Sequence, residues 1–417
     1  MIHLDKVEVI TPELLAPAGD FERLQVAVAF GANAIYMGGT AFGLRAAARN
    51  FDEVQMARAI EYAHERDVKV YITANIFAHN ADLGGMTDYF RQVQKMGADA
   101  LIISDPGVFS LARQAVPDME IHVSTQANVT NYATALFWAS QGASRVILAR
   151  ELSLAEIGEI HRKVDGAIAL ETFVHGAVCM AYSGRCFLSA YMNDRDANKG
   201  ECANNCRFKY ALVEEQRPGE YFPIAEADGR GSHILSSKDL CMIAHLPEML
   251  AAGITSFKIE GRMKTPHYVA ATVSAYRTAI DDFFVDAELY RSKISQYMSD
   301  LQKSANRDFS TGFYLDRPGG DSQAFYGKHS KTYDFVGIVK EYDAVSEIAT
   351  IEQRNKFAIG DTVEFLRTSG EPFSQEIIEI HDIDGNVVEV ARHAQQLLKI
   401  RVKEPVSAFD IMRTKMQ

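Results

Sequence analysis

Thiols are the first residues whose type and spacing point to chemistry. All five cysteines of the 417 residues fall between Cys179 and Cys241. Four lie in ETFVHGAVCMAYSGRCFLSAYMNDRDANKGECANNCRFKY and one in SSKDLCMI. Small core residues chosen for packing would scatter along the chain. A soft metal or a metal–sulfur cluster instead needs several thiolates converging on one point. Six residues separate Cys179 from Cys186, three separate Cys202 from Cys206, and Cys241 stands well downstream. The paired CxxC of a zinc ribbon or a redox dithiol is missing, and an odd count suits a disulfide framework poorly. Residue types alone leave three chemistries open. They are an iron–sulfur cluster, a zinc site, and a thiol nucleophile with His175, four residues ahead of Cys179, beside it.

Such groups need a scaffold, and the chain before them supplies a regular one. Short apolar runs at 13–18, 33–37, 69–76, 100–104, 120–124, 145–149 and 169–174 alternate with helical patterns, and an eighth run, SFKI at 256–259, follows the cysteine stretch. Runs that are β-branched and do not alternate with polar residues imply parallel strands covered on both faces. Eight such units predict an α/β fold, a (β/α)8 TIM-like barrel, in residues 1–305. The Cys-rich insertion, about 177–253, then leaves the barrel between strands seven and eight at the C-terminal face, where barrel enzymes carry their sites. Residues 306–333, rich in Gly, Ser and aromatics, read as a linker. Residues 334–417 carry short strands split by polar turns, as in a small antiparallel β-barrel.

That scaffold gathers further candidates at one mouth. Arg45 and Arg49 follow the second strand, Arg150 ends the sixth and Arg262 the eighth. Guanidinium forks suit carboxylates, so this ring suits an anionic ligand. His175, Glu171 and Glu260 lie on or just after strands seven and eight and are the acid–base candidates. For His175 an orienting role is an equal alternative, and for Glu260 an ion pair with Lys258 and Arg262 is one. Asn75, Asp105 and Gln126 end other strands and are weaker candidates, and Tyr36 would line the pocket.

Net charge is -12 and the pI about 5.5, which excludes a chain coated in basic surface but leaves room for a local basic groove. The first residues lack the pattern of a secretory signal, and no apolar run approaches a membrane span. A cytoplasmic location, without membrane contact and with reduced thiols, is expected. The cysteine stretch mixes Arg185, Arg195, Lys199, Arg207 and Lys209 with Phe187, Tyr191, Phe208 and Tyr210, against Asp194, Asp196 and Glu201. Basic charge interleaved with aromatics suits a splayed, stacked RNA base. Aromatics packed beneath the loop are the simpler alternative. The basic run near the C-terminus, 392–415, reads as a solvated edge.

The cysteine signature ETFVHGAVCMAYSGRCFLS, with ELLAPAGDFERLQVAVAFGANAIYMGG, GLRAAARNF and SFKIEGRMK, closely resembles the U32 peptidase family, also called collagenase-like proteases. The likeness covers nearly the whole chain, and within the family it is similar to prephenate-dependent tRNA uridine hydroxylases. That resemblance implies a 4Fe-4S cluster held by Cys179, Cys186, Cys241 and one of the CxxxC pair, with Cys202 preferred and Cys206 as the alternative. It implies oxygen-independent hydroxylation of the wobble uridine of tRNA to 5-hydroxyuridine, with prephenate as co-substrate. Two other readings follow from it. One is a thiol peptidase using Cys179 or Cys186. The other is a noncatalytic tRNA-binding subunit beside a paralogous chain.

Overall fold

The computed structural model describes residues 10–43, 50–179, 181–182, 185–208, 211–213, 215–219, 221–223, 237–318 and 331–416. Strand and helix alternate through the first half. The strands are β1 (Glu13–Pro17), β2 (Ala34–Gly38), β3 (Lys69–Ala74), β4 (Ala100–Ile103), β5 (Glu120–Val123), β6 (Arg145–Ile147) and β7 (Ala169–Ala177). Between them run α1 (Phe21–Ala29), α2 (Glu53–His64), α3 (Met86–Lys95), α4 (Pro106–Ala115), α5 (Tyr132–Ser140) and α6 (Leu154–Val164). Caps start these helices where the sequence places them. Asp20 accepts from the Arg23 N–H, and Asp52 and Ser153 each close a capping box. Asp105 accepts from the Val108 N–H while Pro106 opens α4. Asp105 is therefore spent on a cap and does not face the mouth as a site residue.

After β7 the chain leaves the barrel. The excursion carries α7 (Leu188–Asn193), a hairpin of β8 (Ala211–Val213) and β9 (Tyr221–Pro223), and β10 (Asp239–Cys241). It returns through α8 (Leu246–Ala251) and β11 (Ser256–Ile259). β11 pairs in parallel with β1 on one side and β7 on the other, which closes an eight-stranded barrel. The predicted (β/α)8 architecture is what the chain adopts. On the faces turned to the helices, Leu14, Ile35, Ile72, Leu101, Ile121, Val146 and Phe257 are almost fully buried, as strands covered on both faces require.

Two features depart from the sequence reading. β7 runs on to Ala177 through Gly176, whose φ is 105° and whose site leaves no room for a Cβ against the Glu260 carbonyl. This extension pairs antiparallel with β10, setting Cys241 opposite His175 and Asp239 opposite Ala177. Second, after α9 (Pro266–Val285) and α10 (Ala287–Gln302), the expected linker is partly ordered onto the barrel. β12 (Phe309–Ser310) pairs with β10, and the Tyr314 hydroxyl donates to the Phe173 carbonyl at 2.7 Å. Residues 319–330 of that stretch lie outside the described residues.

The C-terminal region is antiparallel, as its alternating pattern predicts. Its seven-stranded sheet runs from Tyr333–Asp343 to Ile411–Lys415 around a core that includes Val336, Ile351, Phe365, Ile400 and Met412. Arg413, expected on a solvated edge, is fully buried, pairing with Glu364 and meeting barrel residue His267 at 3.4 Å. Arg401 and Arg367 are 3.3 and 3.2 Å from Glu347 and Glu404. Two basic residues of the tail, Arg401 and Arg413, are thus spent on ion pairs.

Candidate functional site

A cavity of about 260 Å³ opens where the barrel strands end beneath the cysteine stretch. Tyr36, Thr73, Ile102, Ile147, Phe173 and Lys258 bring six strands to its wall. Ser124 and Gln126, just past β5, complete its lower rim. Among the described residues, five cations line it, Arg150, Arg207, Lys258, Arg262 and Lys264, against the carboxylate of Glu260.

Each cation is set by its neighbours. Arg262 donates to Asn50 Oδ1 at 2.7 Å and to Thr73 Oγ1 at 3.4 Å. Its fork lies against Gly38, where any Cβ would collide with Nη2. Arg150 donates to the Ala177 carbonyl at 2.5 Å, stands 3.6 Å from Glu260 and stacks 3.8 Å over the Phe173 ring. Its buried Nε has no hydrogen-bond partner. Lys264 lies 4.0 Å from Asp239, and burial pulls its pKa down, with Asp239 opposing and Arg207 and Arg307 adding to the pull. Arg150 and Arg262 are expected from the sequence. Arg45 and Arg49 lie outside the described residues.

The acid–base candidates separate. Glu260 lines the cavity, but His175 and Glu171 do not. His175 is 2% exposed, with Tyr268, Tyr276 and Phe309 around its ring. Burial, helped by Lys264, pushes its pKa down to about 3, so the imidazole is neutral. Glu171 sits lower in the barrel, fully buried, accepting from Lys258 Nζ at 2.8 Å, Arg145 Nη1 at 2.9 Å and Ser256 Oγ at 3.2 Å. Burial alone would raise its pKa, but Lys258 and then Arg145 outweigh that and hold it at about 2. A carboxylate so held, low in the barrel and outside the cavity lining, is not placed to take a substrate proton at the mouth. The expected pairing of Lys258 with Glu260 gives way to this one. Of the weaker candidates, Tyr36, Asn75 and Gln126 line the cavity.

Above the cations stand the thiols. Cys179, Cys186 and Cys202 line the cavity. Burial pushes the Cys206 thiol up, Arg207 draws it down, and Cys179, Cys202 and Cys186 each push it up again. Four thiols therefore lie within one another's electrostatic reach. Cys202 Sγ also accepts from the Asn204 N–H at 3.4 Å. Cys241, expected as a ligand, is elsewhere. It is 6% exposed, level with His175 on β10, and its Sγ is 3.8 Å from Met298 Sδ and 3.9 Å from the Tyr276 hydroxyl. Burial raises its pKa to about 11. Cys206 has the three lining thiols in its surroundings, and Cys241 is buried beside His175, Met298 and Tyr276. The sequence carried a signal for this. Cys241 is flanked by Leu240, Met242 and Ile243, the pattern of a buried segment, whereas the CxxxC pair sits among Asn and Arg.

The donor set can be tested against what it would hold. Among the described residues, no three His, Cys, Asp or Glu side chains converge closely enough to grip a single ion. Zinc binds sulfur at ~2.3 Å, which draws four thiolates to within about 4 Å of one another. A four-iron cluster spreads its four thiolates wider, because each binds a different iron. Four neighbouring but unconverged thiols fit the larger group.

Outside the thiols, aromatic side chains project into solvent. Phe187, Tyr191 and Phe208 are 73%, 93% and 51% exposed, so they do not pack beneath the loop. Arg185 stands 4.9 Å over the Phe77 ring, and Lys199 pairs with Asp82 at 3.2 Å. Lys209 and Tyr210 lie outside the described residues. Lys264 was missed by the sequence reading, and Arg207 was assigned to RNA and not to the cavity. Among the described residues, no helix is long and apolar enough to cross a membrane.

The model of peptidase family U32 matches residues 19–324, and that of the peptidase family U32 C-terminal domain matches residues 331–413. A Bacillus subtilis relative named tRNA hydroxylation protein P1 is 42% identical over 404 residues, covering 96% of this chain and 94% of its own. An Escherichia coli 23S rRNA 5-hydroxycytidine synthase is 34% identical over 318 residues, 75% of this chain and 46% of its own. A Porphyromonas gingivalis protein named collagenase is 32% identical over 410 residues, 95% of this chain and 96% of its own. The chain belongs to peptidase family U32.

Proposed function

We propose that this chain is an RNA hydroxylase that converts the wobble uridine of tRNA to 5-hydroxyuridine without molecular oxygen. In this reading Cys179, Cys186, Cys202 and Cys206 hold a 4Fe-4S cluster, and a small dicarboxylate, prephenate, is the oxygen source. The observation that carries it is a cavity lined by three thiols, with Cys206 near them, and, among the described residues, by five cations and one carboxylate. Bound there, such a cluster supplies one-electron redox chemistry beside the cavity. The chain's own residues do the rest. Arg150 and Arg262 offer guanidinium donors to carboxylates, and the barrel wall keeps bulk water from most of the ligand. Exchanging hydrogen for hydroxyl at carbon 5 withdraws two electrons from the base, so the oxygen donor is reduced by two. Phe187, Tyr191 and Phe208 offer exposed faces for unstacked bases. Relatives named for hydroxylation of tRNA and of an rRNA cytidine support RNA as the substrate class.

The relative named collagenase supports the peptidase alternative. A thiol peptidase needs a base within reach of its thiolate. His175 is a poor base for Cys179, since its neutral ring is enclosed by aromatics below the thiols. In the subunit reading, the purified single chain would have no activity alone.

Deletion of the gene, followed by mass spectrometry of bulk tRNA nucleosides, tests the proposal. Loss of 5-hydroxyuridine derivatives, restored by the intact chain and not by Cys186→Ser, is expected. Unchanged levels in a strain without a paralogue would overturn it.

A further inference from the structure

The geometry points to Lys258 as an anion-binding residue at the floor of the cavity, held in place by Glu171 as its positioning residue. Together with Arg150 and, a layer higher, Arg262, it selects a ligand with two carboxylates over one with a single carboxylate. This rests on the reading that the cavity takes a small dicarboxylate.

Lys258 is 4% exposed and yet lines the cavity. Its ammonium has three donors, and Glu171 takes one at 2.8 Å. The Nζ faces the rings of Tyr36 at 4.4 Å and Phe173 at 5.5 Å, both part of the cavity wall. Glu171 sets an opposite charge against it, and Glu171 is itself fixed from below. Arg145 Nη1 bridges Glu171 and Glu13 at 2.9 and 2.6 Å, Ser256 Oγ donates to both carboxylates, and the Tyr71 hydroxyl donates to Glu13 at 2.6 Å. Five strands therefore anchor one ammonium, which holds its donors in a set place before any ligand arrives.

Arg150 meets the same Phe173 ring at 3.8 Å. With Lys258 at 5.5 Å from that ring, the two cationic centres can lie no farther than about 9 Å apart. Arg150 keeps a buried Nε without a partner, so both cations have donors to spare. Arg262 lies one layer higher, with its fork against Gly38 and Thr73, while Lys258 lies over Tyr36, two residues earlier on β2. One layer of a barrel is roughly 6–7 Å. The cavity thus offers cations at two heights, which suits a dianion whose carboxylates are set apart by a ring-sized spacer. A monoanion leaves one cation buried and unmatched.

Calorimetry on the anaerobically purified full chain tests this, with prephenate as the dianion probe and phenylpyruvate as the single-carboxylate probe. Wild type is expected to prefer prephenate by at least about tenfold. Lys258→Met, and the neutral pair Lys258→Met with Glu171→Gln for the case in which the single variant does not fold, should lose that preference. Both should keep wild-type affinity for tRNA. Glu171→Gln alone should raise the KM for prephenate and leave the KM for tRNA unchanged, which a general loss of structure would not do. Wild-type preference for prephenate in the folded double variant overturns the role of Lys258. If wild type binds neither acid, the dicarboxylate reading of the cavity fails, and the role of Lys258 fails with it.

Discussion

Two sets of charges occupy the same barrel under different balances. In the interior, Glu13 and Glu171 face Arg145 and Lys258, two acids against two bases, linked by bonds of 2.6–2.9 Å. At the mouth, Arg150, Arg207, Arg262 and Lys264 join Lys258 against Glu260 in the lining, with Asp239 4.0 Å from Lys264. Both sets are largely removed from water, so burial alone does not tell a structural charge from a functional one. The difference is the remainder after pairing. A balanced buried set holds the fold together. A buried surplus of one sign costs stability until a ligand of the other sign arrives.

That contrast can be broken from the inside first. Glu171→Ala leaves Lys258 without its carboxylate and should cost about 3–5 kcal/mol, read as a large drop in the midpoint of denaturant unfolding. A change under about 1 kcal/mol would mean that the interior set is not structural. The mouth should answer differently. Arg150→Met is expected to weaken dicarboxylate binding about 10- to 100-fold, the worth of a charged hydrogen bond, while lowering the melting temperature far less than Glu171→Ala does. Equal losses of stability from both variants would erase the distinction.

A smaller effect comes from acid. Burial holds His175 at about 3 against 6.5 in an unfolded chain, so unfolding takes up a proton once the pH is below 6.5. The stability contribution is complete above 6.5 and is lost as pH falls toward 3. At pH 5 the loss is about 2 kcal/mol. His267 shifts in the same direction. Glu171 adds its own loss between 4.5 and about 2, because its carboxylate must be protonated there. Replacing His175 by Phe, which suits its aromatic surroundings, should shrink the difference in melting temperature between pH 7 and pH 5. An unchanged difference would show that His175 is not held neutral.

The barrel strands are legible because burial on both faces writes β-branched runs into the sequence. The run at 69–76 becomes Lys69–Ala74, and SFKI becomes β11 without change. The ends of strands also mark the mouth, so Arg150, Arg262 and Glu260 can be placed there from order alone. What the sequence hides is pairing over distance. β10 is three residues long, too short for any periodicity, and exists because the extended end of β7 offers it an edge. Nothing in the sequence announces that strand, so nothing announces that Cys241 stands opposite His175. Glu171 misleads for a related reason. It lies on the strand that feeds the site, but two residues into a nine-residue strand it belongs to the floor and not the mouth. Lys264 is invisible as a site residue until the turn after β11 brings it under Arg207.

The division between four gathered thiols and one buried thiol is tested most directly by counting iron and sulfide in anaerobically purified chains. Wild type and Cys241→Ala should each carry about four irons and four sulfides per chain with a visible brown absorption, and Cys206→Ser should lose most of both. A Cys206→Ser chain that keeps its iron while Cys241→Ala loses it would contradict the account.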